Sequence, residues 1–292
     1  MTRRPMSGLL LAAFGAVLLA PDTLMMRLSG LDGFAMLAWR GLLTAFALLS
    51  VWVLFGGAAR RRDLGALASG AGLAVICVQF INSVVFSLSI WVAPVPVVLF
   101  GVAAAPVFAA IFAWAILREP TRPSTWAAII AVLSGIALAV FGGADGRISL
   151  DPSVALGALG GLSVGAALAM TFVLLRMRGD LSILLCVGLG SLASGLLGLG
   201  VAGGGVMQGT LWPIAVSGLI LLPVSFFALS HASRLTPASN VSLVLLLETV
   251  LGPIIVWIGV GEAPTTAMLV GGAIVVGSLA LYLLHMGRHQ PG

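Results

Sequence analysis

VSLVLLLETVLGPIIVW, residues 241–257, is long enough to cross a hydrocarbon core as a helix, yet it carries a carboxylate, Glu248, near its centre. An ionisable group at membrane depth is costly and faces a cavity or a partner rather than lipid. Outward from this stretch, apolar runs of about 20 residues, the length of a transmembrane helix, recur along the whole chain. Of its 292 residues, 60% are hydrophobic and only 8% charged, with mean hydropathy +1.20. Too few charges remain to hydrate a soluble surface. The composition therefore specifies a polytopic helical membrane protein. An outer-membrane barrel is excluded, because its strands would alternate apolar and polar residues.

The runs predict ten spans, at 6–28, 34–55, 65–88, 95–117, 124–142, 153–175, 181–201, 210–230, 236–258 and 266–286. The start, MTRRPMSGLLLAAFGAVLLA, has the basic lead and apolar centre of a signal peptide. It continues to about Leu28 with no small-x-small cleavage site, so it reads as a retained first span. All fourteen basic residues are arginine. With both termini cytoplasmic, eleven of them (Arg3, Arg4, Arg60, Arg61, Arg62, Arg118, Arg122, Arg176, Arg178, Arg234 and Arg288) fall in inside segments, against Arg27 and Arg147 outside. That bias sets the orientation, in a cell inner membrane. The sequence pI of about 10.9 thus reports loops beside anionic lipid and no nucleic-acid groove. Trp52, Trp114 and Trp126 then fall near the inner interface, and Trp91, Trp212 and Trp257 near the outer one, as an aromatic belt.

Displacing the chain by 143 residues sets Pro94 on Pro237, Val98 on Val241, Ile111 on Ile254, Trp114 on Trp257 and Glu119 on Glu262. After one deletion Gly135 falls on Gly277, and the early spans align around Gly8 and Gly157. The halves are residues 1–147 and 148–292. Five spans is an odd number, so the second copy enters from the opposite side, as in many transporters. The sequence accordingly predicts an all-α membrane protein of ten transmembrane helices, two five-helix inverted repeats around a central cavity. Glu248 aligns with Ala105 and Thr249 with Pro106, so the halves differ at mid-membrane.

Polar residues within the spans are the candidate pathway. Gln79, Asn82 and Ser83 share one helix face at i, i+3 and i+4, and either line a wet path or hydrogen-bond to neighbouring helices. Gly8, Gly15 and Asp22 share a face at seven-residue steps, and Pro21-Asp22 predicts a kink beside a carboxylate. Asn240, Val244, Glu248 and Gly252 share a face of span 9, which Pro253 allows to bend. Arg40, beside Trp39, lies about two turns inside span 2, where it either snorkels outward or pairs with Asp22 or another acid. Ser225 adds a hydroxyl in span 8. His231 reads as interfacial. Gly157, Gly161 and Gly165 form a close-packing stripe. Cys77 and Cys186 read as packing residues and form no metal-ligand spacing.

The stretch SRLTPASNVSLVLLLETVLGPIIVWIGVGEAPTTAMLVGGAIVVGSLALYL resembles the drug/metabolite transporter superfamily, in particular its EamA-type ten-helix members. The matching features are the Pro-Ala entry, the mid-helix LLLE, the following GE and the Gly-rich last helix. In the first half, AWRGLLTAF and LREPTRPSTWAAIIAVLSGIALAV carry the likeness. The chain departs from that pattern at Phe14-Gly15, where Trp-Gly is common, and at Thr249, where Pro often follows the Glu. The resemblance implies a secondary transporter that exports small metabolites, mainly amino acids, with an aromatic amino-acid branch among the similar proteins.

ATP-driven transport lacks a Walker motif, and the connections are too short for a soluble domain. An intramembrane enzyme would need a nucleophile with its base, paired aspartates or a cluster such as HExxH, and a channel a TVGYG-type filter or acidic ring. The sequence contains none of these. No cofactor or metal is expected; the partners are a small-molecule substrate and the bilayer.

Overall fold

The computed structural model describes residues 4–118 and 152–261 continuously, with isolated positions between 123 and 137 and between 263 and 281. The described secondary structure is helical throughout. Eight helices are long and apolar enough to cross a membrane: α1 (Ser7–Ser29), α2 (Gly33–Phe55), α3 (Gly70–Val92), α4 (Val95–Leu117), α5 (Pro152–Met177), α6 (Ile183–Met207), α7 (Leu211–Leu235) and α8 (Ala238–Val260). They correspond to predicted spans 1–4 and 6–9. The predicted spans at 124–142 and 266–286 lie largely outside the described residues. Of the positions described there, Gly135 and Gly271 meet: a Cβ on Gly135 would lie 2.8 Å from the Gly271 carbonyl oxygen.

Local chemistry sets the ends. Asp32 caps α2, accepting hydrogen bonds from the Phe34 and Ala35 amides at 2.8 and 2.9 Å. Ser69 caps α3 through the Gly72 amide at 3.2 Å. The third span was expected at 65–88 but begins at Gly70, because this cap ends a separate short helix, Arg60–Leu67. Two long helices break inside the protein. α1 turns at Ala20–Pro21 and restarts at Asp22, as the Pro-Asp pair predicted. α4 turns at Ala103–Ala104, just before Pro106, which has no N–H to continue the ladder. α8 stays one helix through Pro253 and stops at Gly261, whose φ of 78° closes it with an N–H to the Trp257 carbonyl.

α1 packs on α7 and α8, and α5 packs on α3 and α4. α4 meets α8, α3 meets α6, and α2 meets α7. The most extensive contact is α2 against α6. It is possible because both helices lack side chains where they cross: a Cβ on Gly41 would sit 2.6 Å from the Gly195 nitrogen, and one on Gly198 2.5 Å from the Ala38 nitrogen. Small residues replace hydrophobic driving force inside lipid, letting backbones pack by van der Waals contact. The predicted stripe on α5 behaves alike, with Gly157 against Ala93, Gly161 against the Val98 carbonyl and Gly165 against Val102, all along the α3–α4 turn and α4. Trp91, Trp114, Trp126, Trp212 and Trp257 are exposed, as a lipid-facing belt requires.

The α2–α6 crossing is a direct test of this packing. Gly195→Val should lower the thermal unfolding temperature in detergent by several degrees or abolish folded yield. Gly200→Ala, on the open face of the same helix with nothing within 4 Å, should leave it unchanged or slightly raise it.

Candidate functional site

The break in α1 starts a new helix at Asp22, whose carboxylate is fully buried. Arg40 of α2 reaches it, Nη2 to Oδ2 at 2.5 Å. The second oxygen, Oδ1, accepts a short hydrogen bond from Ser217 Oγ of α7. Arg40 therefore pairs with Asp22 and does not snorkel; its guanidinium also lies 4.9 Å above the Phe86 ring of α3, a cation–π distance. One carboxylate thus joins α1, α2 and α7, and its partner adds α3.

On its other side Arg40 faces a small cavity of ≈ 10 Å³, about the room one water needs. The predicted Gln79, Asn82 and Ser83 line it from α3, with Thr44 and Ser87 beside them, Ser191 across on α6, and Phe226 and Leu222 on α7. Gln79 Nε2 donates to Ser83 Oγ at 3.4 Å. Gln79 Oε1, Asn82 Oδ1, Thr44 Oγ1, Ser87 Oγ and Arg40 Nε are buried without a hydrogen-bond partner among the described residues. A buried polar group left unpaired is costly, and these five residues all line the space that Arg40 faces.

Glu248 is buried at mid-height of α8, within electrostatic reach of Asp22 and Arg40. One turn further on, Gly252 lies against Thr23 and the Ala20 carbonyl, so α8 presents this face to the break in α1. The remaining candidates sit elsewhere. Asn240 is two turns closer to the start of α8, where its amide donates to Thr236 Oγ1 at 3.4 Å. Ser225 is fully buried where α7 meets Gly15 of α1. Trp39 turns away from Arg40 and donates its indole N–H to the Val206 carbonyl at 2.8 Å. His231 stacks on Phe227, and Cys77 and Cys186 are free thiols, exposed and buried respectively.

Sequence reasoning passed over Thr44, Ser87, Ser191 and Ser217. Ser87 was within reach, since it continues the Gln79–Ser83 face by one more i+4 step. Ser217 was not: it opens a π-turn, Ser217–Leu221, just before Pro223, and only that turn brings its hydroxyl to Asp22.

Against this geometry the comparisons with known proteins are specific in one respect. Residues 6–141 match the EamA-like transporter family. That matched half contains Asp22, Arg40, Gln79, Asn82 and Ser83. An uncharacterized transporter of Bacillus subtilis (strain 168), YdfC, is 24% identical over 190 residues, 64% of this chain and 62% of the relative's own length. One crystal structure aligns over 98% of this chain and 99% of its own with TM-score 0.70, at 17% identity, a likeness of fold alone. The eight apolar helices are long enough to cross a membrane, and both likenesses are to proteins described as transporters. Among the described residues no cluster of three or more His, Cys, Asp or Glu could hold a metal.

The Asp22–Arg40 pair is structural as well as polar. Asp22→Asn would leave Arg40 as a buried, uncompensated charge, which costs about 3–5 kcal/mol. D22N should therefore unfold at a clearly lower temperature than wild type, and D22N/R40Q should recover part of the loss. Equal unfolding temperatures for all three proteins would show that the pair does not hold these helices together.

Proposed function

We propose that the chain is a secondary transporter that exports small metabolites, amino acids foremost, across the cell inner membrane by alternating access. Its moving parts would be two five-helix repeats of opposite sense, residues 1–147 and 148–292, with both termini cytoplasmic. The observation that carries this reading is a reciprocity in the packing. Exchanging the halves sends α1 to α5, α2 to α6, α3 to α7 and α4 to α8. The exchange turns α1 on α7 into α5 on α3, α1 on α8 into α5 on α4, and α2 on α7 into α6 on α3. It returns α2 on α6 and α4 on α8 to themselves. Each of these contacts is present.

Individual residues follow the same rule. Gly8 lies against Thr236, the residue before Pro237, and its aligned Gly157 lies against Ala93, the residue before Pro94. The offset that pairs those glycines also pairs Arg27 with Arg176. Arg27 Nη2 donates to the Ala93 carbonyl at 2.8 Å, and Arg176 Nη1 to the Ser233 carbonyl at 3.3 Å. Each arginine ties the end of its repeat's first helix to a backbone carbonyl of the same repeat, near the end of that repeat's third helix in both cases. The reciprocity fails where α5 also packs on α7 and α8, whereas α1 shares no comparable contact with α3 or α4 among the described residues. A carrier with one face closed and the other loosened would differ between halves in this way.

The cavity chemistry supports the substrate class. A guanidinium, two amides and several hydroxyls, with Phe226 and Leu37 alongside, suit a small solute that carries a carboxylate and a modest apolar part. Closure to ≈ 10 Å³ fits a conformation in which no substrate-sized path is open.

Reconstituted protein should take up labelled amino acids into proteoliposomes, and Asn82→Ala or Glu248→Gln should cut the rate at least about tenfold while both variants fold. Catalytic turnover of the solute, or ohmic single-channel current, would reject the carrier. Arg27→Gln and Arg176→Gln should shift the accessibility of cysteines introduced along the pathway in opposite directions, Arg27→Gln towards the outer face. A shift of the same sign in both would defeat the reciprocal arrangement.

A further inference from the structure

We infer that the cleft between α2 and α6 is a site for one anionic phospholipid, held by its headgroup at the Arg60–Arg62 end. The cleft lies on the outside of the protein, has a volume of ≈ 480 Å³, and is lined by Leu42, Phe46, Leu49, Val53 and Leu54 of α2 and Leu192 of α6. Its lining runs from Leu42 to Leu54, about 18 Å of helix, the span of an acyl chain within one leaflet. The crossing at Gly41 and Gly195 lies beside its deep end, where the two backbones are in contact.

Charge distinguishes its two ends. At the shallow end Arg60 folds back over α2 and donates to the carbonyl of Val53, a residue of the cleft wall. Arg61 and Arg62 follow it and are exposed. The nearby acids are already engaged: Asp63 is buried and accepts from Trp52 Nε1 at 2.9 Å, and Asp180 is paired with Arg178 by two 2.8 Å hydrogen bonds that hold its carboxyl down to about 2. A phosphate at this end would meet Arg60 on the cleft wall, with the exposed Arg61 and Arg62 next in the chain and Asp63 and Asp180 each already hydrogen-bonded. At the opposite end of the α2–α6 pair, the segments 29–33 and 203–209 hold Asp32 and no basic residue. An acyl chain alone would be indifferent to that polarity; an anionic headgroup would not.

The site stands apart from the polar cavity and does not depend on the transport reading. Native mass spectrometry of the full-length protein in mixed micelles tests it, with phosphatidylglycerol and phosphatidylcholine of identical chains as probes. Wild type should retain one phosphatidylglycerol with at least about fivefold preference, the effect of a single arginine at an anionic surface. R60Q/R61Q/R62Q should lose the preference while still holding either lipid weakly. Ser50→Trp, which fills the cleft and leaves the arginines intact, should retain neither. Each variant is first checked for monodispersity and a wild-type unfolding temperature, with R61Q/R62Q as a milder replacement if the triple variant fails. Equal retention of both lipids, or phosphatidylglycerol binding untouched by Ser50→Trp, overturns the inference. So does a stable dimer that Ser50→Trp dissolves, because the cleft would then belong to a second copy.

Discussion

Water is unavailable where Asp22 and Arg40 meet, so each charge is tolerable only through the other. Transfer of an unpaired ion into a low-dielectric interior costs several kcal/mol, and the pair recovers this only with good geometry and filled hydrogen bonds. Asp22 meets those conditions: one oxygen takes Arg40 and the other Ser217. It is also the first residue of a new helical segment, where unpaired amides favour a negative charge. The break in α1 follows from this requirement as much as from Pro21. A straight α1 would have no helix start at this depth. Four helices meet around one ionic contact, and the polar cavity opens on the far side of the same guanidinium.

The close approach that makes such a contact reachable comes from residues with little or no side chain. α2 lies against α6 at backbone distance through Gly41, Gly195 and Gly198, and α5 lies against α4 through Gly161 and Gly165. These contacts fix the frame to within tenths of an ångström. Small polar groups such as Ser191 and Thr44 therefore reach the cavity without long side chains. Arg40 is the charged exception there, and its guanidinium is held by Asp22 and the Phe86 ring.

Much of this was legible in the sequence, for a physical reason: in hydrocarbon the backbone must satisfy itself, so apolar length alone specifies a helix. Eight of the ten predicted spans coincide with described helices, and the Pro21-Asp22 kink, the α5 glycine stripe and the Gln79–Asn82–Ser83 face appear where periodicity put them. The pairing of Arg40 with Asp22 was one of two readings, since spacing within single helices does not say which helices adjoin. What escaped depends on tertiary contact. Ser217 acts only through a π-turn, Ser191 only through the glycine crossing, and Trp39 is claimed by a carbonyl at the end of α6, 167 residues away. The start of α3 moved because the Ser69 cap outweighed the apolar character of the residues before it.

The two halves share packing but not chemistry. Glycines, prolines and the arginine-to-carbonyl ties recur in both, whereas Asp22, Arg40 and the amides of α3 belong to the first half and Glu248 to the second. Aligned with Ala105, Glu248 has no counterpart, yet α8 carries it to the side of α1 where Asp22 breaks the helix. In the reading proposed above, reciprocal packing would let two arrangements of the frame have similar free energy, which an exchange of conformations needs. In the same reading, asymmetric charge would give the frame one site at its centre rather than one in each half. In the proposed carrier, any rearrangement of α8 against α1 changes how far Glu248 stands from the Asp22–Arg40 pair. The energy of an ionic cluster in low dielectric depends steeply on such distances. A solute bearing charge of its own then alters the balance between conformations by entering the cluster, and that differential interaction is what a ligand must have to move the frame.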